Sequence, residues 1–271
     1  MSDVTSHYSG SGDLIAAIRS ALGGAGVDID GIATTALAPV DEFHIRGRAA
    51  TLEIAEALQI DAGSRVLDLG SGLGGPARTL AEVVGCHVTG VDLTPEFCDV
   101  AAELSRWTGL AERTRFEVGD ATALGFTESS FDAVLTMHVA MNIADKAGLY
   151  REARRVLAPG GRFVVYDVLQ GPGGDLHYPV PWARDPAHSH LATPEEMRVL
   201  LTGAGFSIVS ETDSSSASTE WFAAVAARVA VDGPPPVTFA AFLGSDFAEM
   251  ARNQVANLRE DRIRTVTFVC T

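Results

Sequence analysis

Basic residues are scarce in this chain. Of 271 residues only 20 are Lys or Arg, and Lys146 is the single lysine. Against them stand 35 Asp and Glu, for a formal net charge of −15. A nucleic-acid binder needs a basic stripe to displace counterions, and the scattered arginines form none. The same deficit argues against an anionic membrane surface. Long apolar runs are missing too. The best, Trp221 to Val231, is broken by Arg228 and falls short of the ~20 residues that span a bilayer. Cysteine is limited to Cys86, Cys98 and Cys270, an odd number without metal-ligand spacing, which reads as buried thiols in a reducing compartment. The Ser/Gly-rich start lacks the basic-then-apolar order of a signal peptide. No cysteine or carboxylate completes a metal spacing around His177, His188 and His190, so no metal is expected. These absences predict a cytoplasmic protein, monomer or homodimer, without nucleic-acid or membrane partners.

What is present suits a globular enzyme. The chain is 46% hydrophobic and 20% charged, enough for a full core without disulfides. Between Arg46 and Ser210 the periodicity alternates between short apolar runs and helical patterns. Strands are expected at Arg65–Leu69, His87–Val91, Arg115–Val118, Phe131–Met137, Arg162–Leu169, Ser207–Glu211 and Ile263–Cys270. Helices are expected at Ala49–Leu58, Pro76–Val84, Pro95–Thr108, Lys146–Leu157, the last closed by Pro159-Gly160-Gly161, and Pro194–Ala204, with a helical stretch from Trp221 to Met250. The pattern predicts a doubly wound, mostly parallel seven-stranded α/β sheet, Rossmann-like, with an antiparallel last strand and a helical lid. Residues 1–271 read as a single domain: a cap over 1–45, a core of 46–212 plus 261–271, and a lid insertion over 213–260.

The decisive segment runs from Val66 to Pro76, where Gly70, Gly72, Gly74 and Gly75 follow the first strand directly. Glycines let the backbone turn tightly and a ligand lie against it. About twenty residues on, Asp92 closes the second strand, where a carboxylate accepts ribose hydroxyls. Gly70, Gly72 and Gly75 also satisfy the dinucleotide pattern, so the loop alone leaves a nicotinamide-dependent oxidoreductase open. Three features favour S-adenosylmethionine. Asp68 precedes the loop and suits an ammonium better than a pyrophosphate, Asp120 ends the third strand near an adenine amine, and no second nucleotide-binding half follows. The three aspartates form an acidic rim for a sulfonium cofactor.

These residues carry a resemblance. VLDLGSGLGG (66–75), VTGVDLT (88–94), FEVGDATAL (116–124), FDAVLTMHVAMNI (131–143) and RVLAPGGRFVVYDV (155–168) occur in order, and the chain resembles the class I S-adenosylmethionine-dependent methyltransferases. Within them it is similar to the small-molecule branch of sarcosine/dimethylglycine methyltransferases and ubiquinone/menaquinone C-methylases. The resemblance implies that Gly70, Ser71 and Gly72 contact the methionine portion of the cofactor and Asp92 its ribose. It implies that Leu93 lies against adenine, that Asp120 and Ala121 read the adenine, and that the backbone near Met137 and His138 meets the ammonium. Ser71 stands where many relatives carry cysteine or threonine.

The substrate is expected beyond the carboxyl ends of the strands. Candidate contacts are Met141 and Asn142 after the fourth strand, and His177, Tyr178 and Trp182 after the fifth. Tyr8 and His44 would contribute from the cap, and Trp221 and Phe242 from the lid, beside Phe222, Phe239, Phe247 and Met250. Such a chamber suits a small organic methyl acceptor. Methyl transfer is an in-line displacement, so alignment and exclusion of water dominate. His138 is the candidate catalytic base if the nucleophile must lose a proton. A phosphorylated acceptor fits poorly, because the lid holds few cations. A cofactor-binding protein that catalyses another reaction, such as cyclisation, remains a third reading.

Overall fold

In the computed structural model, residues 13–271 are described. Seven strands, β1 (Arg65–Leu69), β2 (His87–Asp92), β3 (Thr114–Val118), β4 (Phe131–Met137), β5 (Leu157–Gln170), β6 (Ile208–Asp213) and β7 (Ile263–Cys270), form one sheet in the order β3-β2-β1-β4-β5-β7-β6. Strands β1 to β5 run parallel, while β7 lies antiparallel between β5 and β6. The order reverses between β1 and β4. That is where ligands enter doubly wound sheets.

Ten helices surround the sheet among the described residues: α1 (Leu14–Gly24), α2 (Thr34–Asp41), α3 (Gly47–Leu58), α4 (Gly75–Val83), α5 (Pro95–Trp107), α6 (Lys146–Val156), α7 (Pro194–Gly203), α8 (Ser215–Asp232), α9 (Ala240–Leu243) and α10 (Phe247–Arg259). Central strands are apolar on both sides because both faces are covered. Val66, Leu135 and Val164 meet Ile54 of α3 and Leu80 of α4 on one face. Leu67, Val134 and Phe163 meet Leu149 of α6 and Leu201 of α7 on the other. Caps set the starts of these helices. Asp145 accepts the Gly148 N–H at 2.8 Å ahead of α6, and Thr193 and Glu196 form a reciprocal box ahead of α7. Each such cap contributes about 1 kcal/mol.

A third core joins the segment ahead of α3 to the insert ahead of β7. Ile18 and Leu22 of α1, Leu37 of α2, Phe97 and Leu104 of α5, Phe242 of α9 and Met250 of α10 bury together, and Leu73 of the glycine loop belongs to the same cluster. The cap and the insert before β7 therefore meet beside that loop.

Two expected boundaries move. Pro159-Gly160-Gly161 does not separate helix from strand, since β5 begins at Leu157, which pairs with Phe131. A register shift before Ala133 and Arg162, with Gly160 at φ 81°, absorbs the extra residues as a bulge. The helical stretch expected from Trp221 starts earlier and is interrupted. Ser214 and Ser218 turn their hydroxyls to Thr265 of β7 at 3.1 and 2.8 Å, so the serine run launches α8. Pro234 to Pro236 then end it, because proline lacks the amide that a helix needs.

Candidate active site

The glycine loop leaves β1 by turning under β2. The Gly70 and Ser71 amides donate to the Val91 carbonyl at 2.8 and 3.1 Å, and the Gly74 amide donates to Ser71 at 2.8 Å. Gly70 and Gly72 take φ of 77° and 52°, a region that side chains rarely enter. A Cβ on Gly70 would overlap the Val139 methyls, which ties this loop to the one after β4. A Cβ on Gly72 would meet nothing within 4 Å, so the open side of the loop lies there.

Asp92 fastens the loop. Its carboxylate accepts the Gly72 amide and the Thr94 amide, both at 2.9 Å. The Thr94 hydroxyl and the Leu93 amide also bond this carboxylate, so Asp92 is held in a fixed orientation at the end of β2. Burial raises the Asp92 pKa. Asp68 differs. It is 2% exposed, and its Oδ2 has no hydrogen-bond partner within the protein. Burial, then the charges of Asp92 and Glu42, push its carboxyl up to about 8. The Ser71 hydroxyl beside it is also buried without a partner. Unsatisfied buried polar atoms are rare, and they gather here at the turn where the cofactor is expected. An ammonium or hydroxyl ligand would complete both, so the residues present fit S-adenosylmethionine. One oxygen of Asp120 serves its own turn: Oδ1 accepts the Thr122 amide and hydroxyl at 2.8 and 2.7 Å. Ala121 beside it is buried, and Leu93 is half-buried after β2.

His138 follows Met137 at the end of β4 and takes φ of 55°. Its amide still donates to the Tyr166 carbonyl at 2.8 Å, so the ladder continues while the side chain swings aside. Non-glycine residues in this region concentrate at functional sites. The ring lies 4.8 Å from Tyr166 and 6.0 Å from His44 between centroids. Its Nδ1 accepts the Ile45 amide at 3.5 Å, and its Nε2 is buried without a partner. Burial, reinforced by His44, holds its pKa well below the usual imidazole value.

The remaining expected contacts separate. His44 is a buried anchor, its ring Nε2 3.0 Å from the Gly47 carbonyl and 3.2 Å from the Thr51 hydroxyl, and burial lowers its pKa to about 4. The Met141 amide donates to Asp167 at 3.1 Å, and the Asn142 side chain donates to the Trp182 carbonyl at 2.7 Å. The Trp182 indole donates to Ser189, and with Tyr178 and Trp221 it belongs to a packed cluster around Val168. His177 forms a half-exposed pair with Glu260 at 2.9 Å. Phe242 meets Phe43, Phe97 and Phe239 at 5.1, 5.5 and 6.2 Å. The aromatic groups thus gather in two clusters, one around Phe242 and one around Trp182. Tyr8 lies outside the described residues.

Two cavities open elsewhere, one of about 180 Å³ behind Tyr166 and Arg46 and one of about 500 Å³ beside α7 and His190. Neither is lined by the glycine loop. Among the described residues no group of three His, Cys, Asp or Glu could hold a metal ion, and no helix is long and apolar enough to cross a membrane.

Sequence reasoning missed Asp41, Glu42 and Arg78. Arg78, fully buried in α4, donates to Asp41 at 2.7 Å and to the Ala101 carbonyl at 2.9 Å. A third bond from Arg78 holds the Leu73 carbonyl inside the glycine loop. Glu42 accepts the Thr51 and Thr79 hydroxyls at 2.6 and 2.7 Å. One available signal was an arginine set among Ala77, Leu80 and Ala81 in the helix after the glycine loop.

Comparison with known proteins agrees with this geometry. A family profile described as a methyltransferase domain matches residues 67–165. A sterol 24-C-methyltransferase of Gibberella zeae is 38% identical over 116 residues, 43% of this chain and 30% of that protein. Methyltransferase GfsG of Streptomyces halstedii is 34% identical over 130 residues, 48% of this chain and 47% of that protein. These matches span less than half the length of either relative. The crystal structure of the [4+2]-cyclase SpnF superposes with a TM-score of 0.65 and 25% identity, covering 95% of this chain and 93% of that one. The chain thus has the Rossmann-like fold of its methyltransferase neighbours, and its residues 67–165 match a methyltransferase domain.

Proposed function

We propose that this protein transfers a methyl group from S-adenosylmethionine to a nitrogen, oxygen or carbon nucleophile of a small organic molecule. The observation that carries this reading is Asp68, a buried carboxyl with an unpartnered oxygen beside the glycine loop. An ammonium would draw that carboxyl into its ionised form and pair with it, whereas a pyrophosphate would bring a second negative charge to a buried acid. Bound at this loop, S-adenosylmethionine supplies an electrophilic methyl on a cationic sulfur. The chain's own part is to hold and orient. Asp92 fixes the loop and meets the ribose, Asp68 takes the ammonium, and the cap with the aromatic cluster excludes water.

The acceptor is unphosphorylated in this reading. Arg46 pairs with Glu53, Arg48 with Glu82 and Arg78 with Asp41, while Lys146 donates to the Ile143 and His190 carbonyls. Residues 1–12 add no lysine or arginine. A phosphate near these groups would meet no spare cation. The end-to-end likeness to SpnF supports a second reading, in which the bound cofactor is retained and the reaction is a cyclisation.

Thermal shift separates the cofactor classes. S-adenosylhomocysteine should stabilise the protein and NAD(P) should not; the reverse result would sink the proposal. Methyl-labelled cofactor with pools of unphosphorylated amines, phenols and carbon acids should then yield a labelled product. Tight cofactor binding with no label transferred would favour the cyclase reading.

A further inference from the structure

We infer that His138 meets the small-molecule substrate as a neutral hydrogen-bond donor, through Nε2–H, and that this substrate presents an oxygen acceptor to it. The inference rests on the site reading above and concerns which atom of the ring carries hydrogen. The Ile45 amide points its N–H at Nδ1 across 3.5 Å. An amide can only donate, so Nδ1 must offer its lone pair. In a neutral imidazole the hydrogen then resides on Nε2, and a ring that carries it there cannot take a proton from the substrate through that atom.

The surroundings hold this arrangement. The Tyr166 hydroxyl donates to the Ile45 carbonyl at 3.1 Å, gripping the same residue from the other side. His44, the titratable neighbour across the ring, is fastened at the Gly47 carbonyl, and Glu42 is bonded to Thr51 and Thr79. No carboxylate bonds His138, so nothing compensates a charged ring, and its lowered pKa agrees. The left-handed backbone at His138 fixes where the ring goes. That leaves a buried N–H without an acceptor in the protein, which the interior rarely tolerates unless a ligand completes it. The next residue, Val139, packs on Gly70, so the loop bearing the ring adjoins the cofactor turn. A carbonyl or ether oxygen is the partner that a neutral donor selects.

Ring nitrogen-15 NMR of the protein loaded with S-adenosylhomocysteine reads this without any turnover. His138 should show a protonated Nε2 and an unprotonated Nδ1; a protonated Nδ1 overturns the inference. Acetophenone and ethylbenzene then serve as shape-matched probes. The ketone should bind about three- to tenfold more tightly and shift the Nε2 resonance. His138→Gln, which keeps a donor but cannot act as a base, should retain that preference, and His138→Leu should lose it. Equal binding of the two probes, or equal loss in both variants while both still bind S-adenosylhomocysteine, would also overturn it. Failure of the native protein to bind S-adenosylhomocysteine would instead refute the site reading.

Discussion

At the scale of single residues, Asp68 governs how the site responds to a cation. With its pKa pushed up to about 8, the empty site holds a protonated carboxyl at neutral pH. A bound ammonium stabilises the ionised form, so binding expels that proton. Calorimetry of S-adenosylmethionine binding at pH 7, in buffers of different ionisation enthalpy, should detect release of about one proton. In Asp68→Asn the release should vanish and affinity should fall by about tenfold or more. An unchanged proton count in the variant would assign the release to another group. The positive-φ glycines Gly70 and Gly72 were legible in the sequence because a turn directly after a strand is a local feature. The ring tautomer of His138 was not, because it depends on Ile45, 93 positions away.

Among the elements, α2 and α4 matter most, because their ends meet at the glycine loop. Asp41 closes α2 and Arg78 lies inside α4, with side chains 2% and 0% exposed. Burial outweighs the guanidinium and raises the Asp41 pKa to about 6. Removing one member of such a pair strands the other charge. Arg78→Met should therefore cost about 3–5 kcal/mol in denaturant unfolding. It should also weaken S-adenosylhomocysteine binding, because the Leu73 carbonyl loses its donor. A stability loss with unaltered binding would mean that the pair serves the fold alone. The strands themselves were readable from apolar runs of five to seven residues, such as Arg65–Leu69 and Phe131–Met137. The interruption of the helical insert was foreshadowed only by its proline triplet, and the role of the serine run required knowing that β7 would pass beside it.

For the molecule as a whole, buried acids shape stability. Burial pushes Asp68 and Asp167 up to about 8 and about 7, against an ordinary 3.8. Between about pH 4 and pH 8 the folded state thus retains protons that the unfolded chain has released. Stability is therefore greatest at the acidic side of that window and declines as pH rises through the folded values. Without ligand, Tm at pH 8 should lie below Tm at pH 6 by on the order of 5 °C. Saturating S-adenosylmethionine should remove the part due to Asp68. A Tm that climbs over this range would contradict the buried-acid account. The net charge of −15 that was plain in the sequence says nothing of this, since it does not reveal which carboxylates are buried.

The placement of β7 bears on how the molecule is made. It pairs eight residues with β5 and lies between β5 and β6. Residues 157–170 and 208–213 are synthesised well before 263–270, so on the ribosome the edge of β5 waits uncovered and β6 has no neighbour to join. Translation can complete the cofactor-binding half, β3-β2-β1-β4, while the other half is still pending. A nascent chain stalled before Ile263 would already carry its glycine turn on a sheet with five of its seven strands paired.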